Sequence, residues 1–170
     1  MIMSVEEFKT FVTTDIPDAV LEAKLQALEV LIRKYTNNNF QNRKIRCLGE
    51  VEENTLVVTT ETFFNIGDTI MIDDDLATIT DIAENVFKIS KHLLYSDRCL
   101  VTKVEYPMDV KMGVVNMIKW DLENREKVGI QSETISRHSV TYFNMDGDNS
   151  TMGFPKSLLG FLKPYMKARF

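Results

Sequence analysis

The spacing of hydrophobic residues changes twice along this chain, and that change limits the fold more than any other feature. From Pro17 to Thr36, Leu21, Leu25, Leu28, Leu31, Ile32 and Tyr35 recur at helical spacing and make one apolar face. Glu22, Lys24, Glu29, Arg33 and Lys34 fall on the other sides. Between Ile45 and Glu105 the helical period disappears, and short runs rich in Val, Ile and Thr replace it. From Met108 to about Lys127 it returns. A chain that reads helix, strands, helix is neither a plain bundle nor a plain sandwich. It predicts an α+β protein: a small helical bundle with an inserted small antiparallel β-barrel-like module.

Boundary signals sharpen this reading. Ser4-Val5-Glu6-Glu7 is a capping box that opens a short helix through about Val12. Pro17 suits the first turn of the next helix, and Asn37-Asn38-Asn39 stops it. Strands are expected near Ile45–Leu48, Leu56–Thr59, Thr69–Ile72, Ala77–Ile82, Val86–Ile89 and Leu100–Glu105. Turn signals separate them at Glu53-Asn54, Gly67-Asp68, Asp73-Asp74-Asp75 and Glu84-Asn85. Strands this short and this close together favour a small barrel, and Phe64–Ile72 is similar to the opening of SH3-like barrels. From Glu50 to Glu84 every ionised side chain is acidic. Barrels that hold nucleic acid do so through a basic groove, so this module is expected to add no DNA affinity. The Asp73–Asp75 triplet reads as a solvated turn in preference to a weak cation site.

The second long helix carries Val110, Met112, Val114, Val115, Met117, Ile118, Trp120 and Leu122. At about 100° per residue these cover more than half of its circumference. Only a strip around Asn116, Lys119 and Glu123 is polar. Such a helix needs neighbours on several sides, in a core or between subunits; Met112, Val115 and Trp120 are the candidate subunit contacts. Beyond Gly129 comes a polar run, Gln131–Thr151, and then Gly153–Phe170, which is apolar and basic with no acidic side chain after Phe154. Two readings of that end stay open: it closes the chain's own core, or it is an extended C-terminal arm that docks on a partner. As an arm its contacts are Phe154, Pro155, Leu158, Leu159, Leu162, Tyr165, Lys167, Arg169 and Phe170, and the rest should fold without it. The expected organisation is 1–44 with 106–130 as helical bundle, 45–105 as inserted β module, and 131–170 as extended segment and arm.

A chain of 170 residues with net charge −5 fits one domain, or one domain with an insertion, and carries no global basic field for nucleic acid. Cys47 and Cys99 lie far apart without metal-ligand spacing and read as buried thiols. His92 and His138 are isolated, and no Ser/His/Asp order, HExxH or phosphate loop is present. Asp146-Gly147-Asp148-Asn149 starts like a calcium loop but lacks the required Gly and the closing Glu. No enzyme activity, cofactor or metal is therefore expected. The N-terminus lacks a basic region followed by an apolar run, so no signal peptide is expected. No apolar run is long enough to span a bilayer.

Four pieces of sequence, in order, carry a more specific likeness. They are Leu31-Ile32-Arg33-Lys34-Tyr35-Thr36-Asn37-Asn38-Asn39-Phe40; the long helix leading into Gly129-Ile130-Gln131-Ser132-Glu133; Ser139-Val140-Thr141-Tyr142; and Gly153-Phe154-Pro155 with the terminal Leu162-Lys163-Pro164-Tyr165-Met166-Lys167-Ala168-Arg169-Phe170. Together they resemble the head–tail connector (adaptor) family of long-tailed bacteriophages. The departure is Ile45–Glu105, where many relatives have only a short connection. The resemblance implies a structural virion protein, made in the host cytoplasm, with no membrane association. It would assemble as a ring, typically dodecameric, under the portal protein. It would join the portal to the next connector (stopper) or tail component, and DNA would pass through without specific binding. It also implies that the C-terminal segment reaches the portal. A different class remains beside it: a cytosolic small-barrel binding or regulatory module without catalysis.

Overall fold

The computed structural model of the chain describes residues 1–60, 63–124, 132–135, 138–141 and 148–168. The chain is α+β and contains a closed five-strand antiparallel barrel. It divides into two compact units, Met1 with Asn38–Tyr106, and Ile2–Asn37 with Pro107–Phe170.

The first unit is the barrel. Its strands are β1 (Gln41–Val58), β2 (Thr69–Ile72), β3 (Asp75–Ala83) and β4 (Val86–Val104), all paired antiparallel. Four elements give five barrel strands because β4 is used twice. Its C-terminal arm pairs with β2 and its N-terminal arm with β3, while β1 runs along its other edge. β1 changes its inward face partway along. Cys47, Gly49 and Val51 are buried in its first half, Leu56 and Val58 in its second. A side-chain period of two cannot do this without an extra residue. A register shift supplies it between Glu53 and Thr55, where Glu53 takes φ 55°. The C-terminal end of the bent β1 then returns to its own middle, and the Thr59 amide donates to the Leu48 carbonyl at 3.3 Å. Gly49 makes that approach possible: a Cβ there would sit 2.9 Å from the Val57 carbonyl oxygen and 2.7 Å from Leu56 Cδ1.

The Asp73–Asp75 triplet lies at the tight turn between β2 and β3. Asp73 takes φ 48° and its Oδ1 accepts from the Leu100 amide at 3.0 Å, so local hydrogen bonds account for it. The two ends of the barrel segment are tied together. The Glu105 amide donates to the Phe40 carbonyl at 2.9 Å, and the Phe40 and Tyr106 rings lie 4.8 Å apart.

The core of this unit, including Leu56, Ile70, Ile72, Ile79, Phe87 and Val101, is drawn entirely from barrel residues. Both cysteines belong to it and are free. Burial pushes the Cys47 thiol up to about 11 and raises Cys99 as well. The native thiols are therefore expected to resist a thiol reagent at neutral pH and to react fully once the barrel is unfolded in urea. The folded barrel holds these protons above the ordinary thiol range near 8.5. Their contribution to stability is therefore complete below that pH and declines as pH rises toward about 11. Urea titrations across that window check the sign. Stability that rises with pH there would contradict buried protonated thiols.

The second unit is helical. Ser4 caps α1 (Val5–Phe11) by accepting from the Glu7 amide at 3.1 Å. α2 (Asp18–Thr36) follows Pro17 and ends at Asn37, which takes φ 49°. Leu21, Leu25, Leu28 and Ile32 form its buried face. α3 spans Met108–Asn124. Its polar strip, Asn116, Lys119 and Glu123, is the exposed strip, while Val110, Val114, Val115, Met117 and Ile118 are buried. Then come a hairpin of β5 (Ser132–Ile135) and β6 (His138–Thr141), and a short pair of β7 (Ser150–Thr151) and β8 (Phe154–Pro155). A 3-10 helix, Lys156–Tyr165, follows. The Gly153-Phe154-Pro155 run turns the chain before this helix begins. Met152 and Gly153 take φ 56° and 77° between β7 and β8, and Pro155 then caps the 3-10 helix.

Candidate functional site

The C-terminal segment, Phe154 to Ala168, packs against α2 and α3 of its own unit. Leu159 and Leu162 are buried, Phe154 and Pro155 are buried beside them, and Leu158 is half-buried. Phe161 rests on Gly113 in the middle of α3: a Cβ at Gly113 would lie 2.3 Å from the ring. That glycine weakens a helix interior relative to alanine, so its value lies in the notch it leaves. Polar contacts hold the far end. Tyr165 donates to the Asp109 carboxylate at 2.8 Å in the first turn of α3, which raises the pKa of the Tyr165 hydroxyl. The Lys167 amide donates to the Thr36 carbonyl at 2.8 Å, and Asn37 Nδ2 donates to the Ala168 carbonyl at 2.8 Å.

The residues expected in a partner-binding arm thus divide. Phe154, Pro155, Leu159 and Leu162 are buried in the helical unit and do not extend from it as the expected arm, because α2 and α3 of the same unit cover them. Lys163, Met166 and Lys167 are exposed at the far end. Arg169 and Phe170 lie outside the described residues.

The expected subunit contacts divide too. Val115 is fully buried in its own unit and serves that core, because α2 and the C-terminal segment supply the several neighbours its helix needs. Met112 is exposed. Trp120 is half-buried and packs on Phe154, with ring centroids 5.7 Å apart.

Beside that ring pair lies an open apolar groove of about 240 Å³. Ala27, Leu28 and Leu31 of α2 form one wall, Ile118 of α3 another, and Met152 and Phe154 the end. Lys24 and Asp121 bridge its rim at 2.5 Å. On the barrel, Phe63 and Ile66 stand out from the chain before β2, 82% and 62% exposed, while Phe64 between them is buried. Sequence reasoning passed over Gly113, the groove and Phe63. A glycine inside an otherwise strong helix was the available signal for a close approach. An adjacent Phe-Phe pair, which cannot point the same way in an extended chain, was the signal for Phe63.

Among the described residues, no group of three or more His, Cys, Asp or Glu side chains is placed to hold a metal. Among those residues no helix is long and apolar enough to cross a membrane. No family model and no curated protein matches the chain.

Proposed function

We propose that this chain is a head–tail connector of a long-tailed bacteriophage. It forms a ring under the portal and joins it to the next connector or tail component, in the virion, with DNA passing through. The observation that supports this best is the joint at the C-terminus. The first and last sequence pieces that carry the resemblance, Tyr35-Thr36-Asn37 and Tyr165-Met166-Lys167-Ala168, are hydrogen-bonded to each other through Thr36, Asn37, Lys167 and Ala168. Residues that sit at opposite ends of the sequence pattern make one local structure.

The docked segment presents Lys163, Met166 and Lys167 outward. That basic and apolar end is the surface offered to an acidic portal face. One copy binds weakly, and many copies on one ring bind tightly through effective concentration. The barrel suits a channel that DNA must slide through, because from Asn38 to Tyr106 seven Lys and Arg stand against twelve Asp and Glu. Such a surface repels phosphate and releases no counterions on contact with duplex. The reading assigns no catalysis and no cofactor. Co-elution of the chain with isolated portal rings of the same phage is the expected result in size-exclusion chromatography. A small-barrel regulatory module would elute apart from them.

A further inference from the structure

α2 carries a second apolar stripe besides the one that faces its core. Val20, Ala23, Ala27 and Val30 are spaced three, four and three residues apart, so they fall on one face of the helix. All four are exposed, Val20 and Val30 at 47% and 49%. At about 100° per residue this face lies on the far side of the helix from the buried Leu21, Leu25, Leu28 and Ile32. A helix packed on one side only carries polar and charged residues there, yet no charged side chain falls in the stripe between Val20 and Val30. We infer that this face docks on the same face of a second copy, with the two α2 helices packed antiparallel.

The stripe itself points to that partner. It reads Val, Ala, Ala, Val, and both residue type and spacing are the same from either end, centred on Leu25. A two-fold contact requires this, because residue i of one copy meets residue j of the other and j meets i. With the helices antiparallel about Leu25, Val20 of each copy meets Val30 of the other, and Ala23 meets Ala27. The short alanines sit at the centre, where they let the helix axes approach to about 8 Å. The valines close over both ends.

Charge sets the same direction. Asp15 stands just before the N-terminal end of α2, and Lys34 continues the stripe one turn beyond Val30; both are exposed. Antiparallel pairing brings Lys34 of each copy to the Asp15 end of the other, whereas parallel pairing would set lysine beside lysine. Charges flanking the stripe already have partners in their own chain. Lys24 pairs with Asp121 and Asp18 with Lys9, each at 2.5 Å, and Glu22 accepts from Gln26 at 3.2 Å. A contact along about three turns of one helix is small for a specific interface, so the pair forms at high concentration. A two-fold contact closes on itself, and a ring is built from heterologous contacts. This pair therefore belongs to the chain free of a portal and does not rest on the connector reading.

The experiment uses full-length chain without portal. One preparation carries Val20→Cys and is isotopically light; a second carries Val30→Cys and is heavy. The native Cys47 and Cys99 are buried. The two are mixed at high concentration under mild oxidation, and disulfides joining position 20 of one chain to position 30 of the other are expected. In the antiparallel pair two copies of position 20, or two of position 30, stand about 15 Å apart along the axis, beyond disulfide reach. Either preparation alone should therefore give about tenfold less linked chain or lower. Ala23→Glu, at an exposed position, sets an unpaired carboxylate in the seam. Added to both chains it should cut the mixed yield by about tenfold or more, with an unchanged circular dichroism spectrum. No mixed linkage, equal linkage in the mixture and in either preparation alone, or a yield that Ala23→Glu leaves unchanged would each overturn the inference. Because no portal is present, the connector reading can fail while this contact is found, and the reverse.

Discussion

Removal of Gly153–Phe170 is expected to unfold the helical unit and leave the barrel closed. Phe154, Leu159 and Leu162 are buried in that unit. Truncating a buried Leu or Phe costs roughly 2–5 kcal/mol, against a total stability of roughly 5–15 kcal/mol, so loss of all three approaches or exceeds what holds the unit together. Leu162→Ala is the single-site version. It should lower the midpoint of the helical unit by roughly 4–8 °C for each kcal/mol lost. The chain has one tryptophan, Trp120, and it lies in the helical unit against Phe154, so its fluorescence follows this unit. The barrel core is self-contained, and protection of Cys47 and Cys99 follows the barrel. Lost tryptophan signal with protected thiols is the expected pattern. A truncated chain whose tryptophan melts as before would show the segment to be a dispensable arm.

Gly49→Val should have the opposite pattern. The new Cβ would meet the Val57 carbonyl oxygen at 2.9 Å and Leu56 Cδ1 at 2.7 Å. One of these is main chain and cannot turn aside, so the C-terminal end of β1 must part from its middle. Inserting methylenes into a packed core costs about 1–3 kcal/mol; a clash at the seam that closes the barrel should cost at least the upper end of that range. The Thr59–Leu48 hydrogen bond is lost and the Cys99 thiol, which donates to the Gly49 carbonyl at 3.1 Å, becomes reactive. Thiol labelling should quicken while Trp120 fluorescence stays native. Unchanged labelling would mean that β1 bends without needing a glycine there.

Much of this architecture was legible in the sequence where local chemistry decides. Ser4 and Asn37 act as the end signals they resemble, and Thr69–Ile72 is a strand with the expected bounds. Continuity of the long strands was not legible. Gly49–Thr55 is mostly polar and Ser90–His92 and Ser96–Arg98 are polar, and Glu and Asn are depleted in strands. Each expected pair of short strands is in fact one strand, Gln41–Val58 and Val86–Val104, because cross-strand pairing between β1 and β4 outweighs weak local preference. At the candidate site, the apolar spacing of Leu158, Leu159 and Leu162 was visible, but apolar spacing does not name the surface that covers it. Gly113 does, and only once Phe161 is seen lying on it. The broad apolar arc of α3 signals several neighbours, and α3 has them in α2 and the C-terminal segment. Val115, a candidate subunit contact by its spacing, is buried in its own unit, since periodicity cannot tell a neighbouring chain from the same chain returning.

The central claim is that copies of this chain build a ring on a portal. Electron cryomicroscopy of portal rings of the same phage, incubated with excess full-length chain, tests it most directly. The expected result is a continuous ring of added density on one end of the portal, around an open axial channel, with each copy's Lys163–Lys167 end against the portal surface. Portal rings left bare at saturating chain would contradict the claim, as would density bound at scattered sites without a ring.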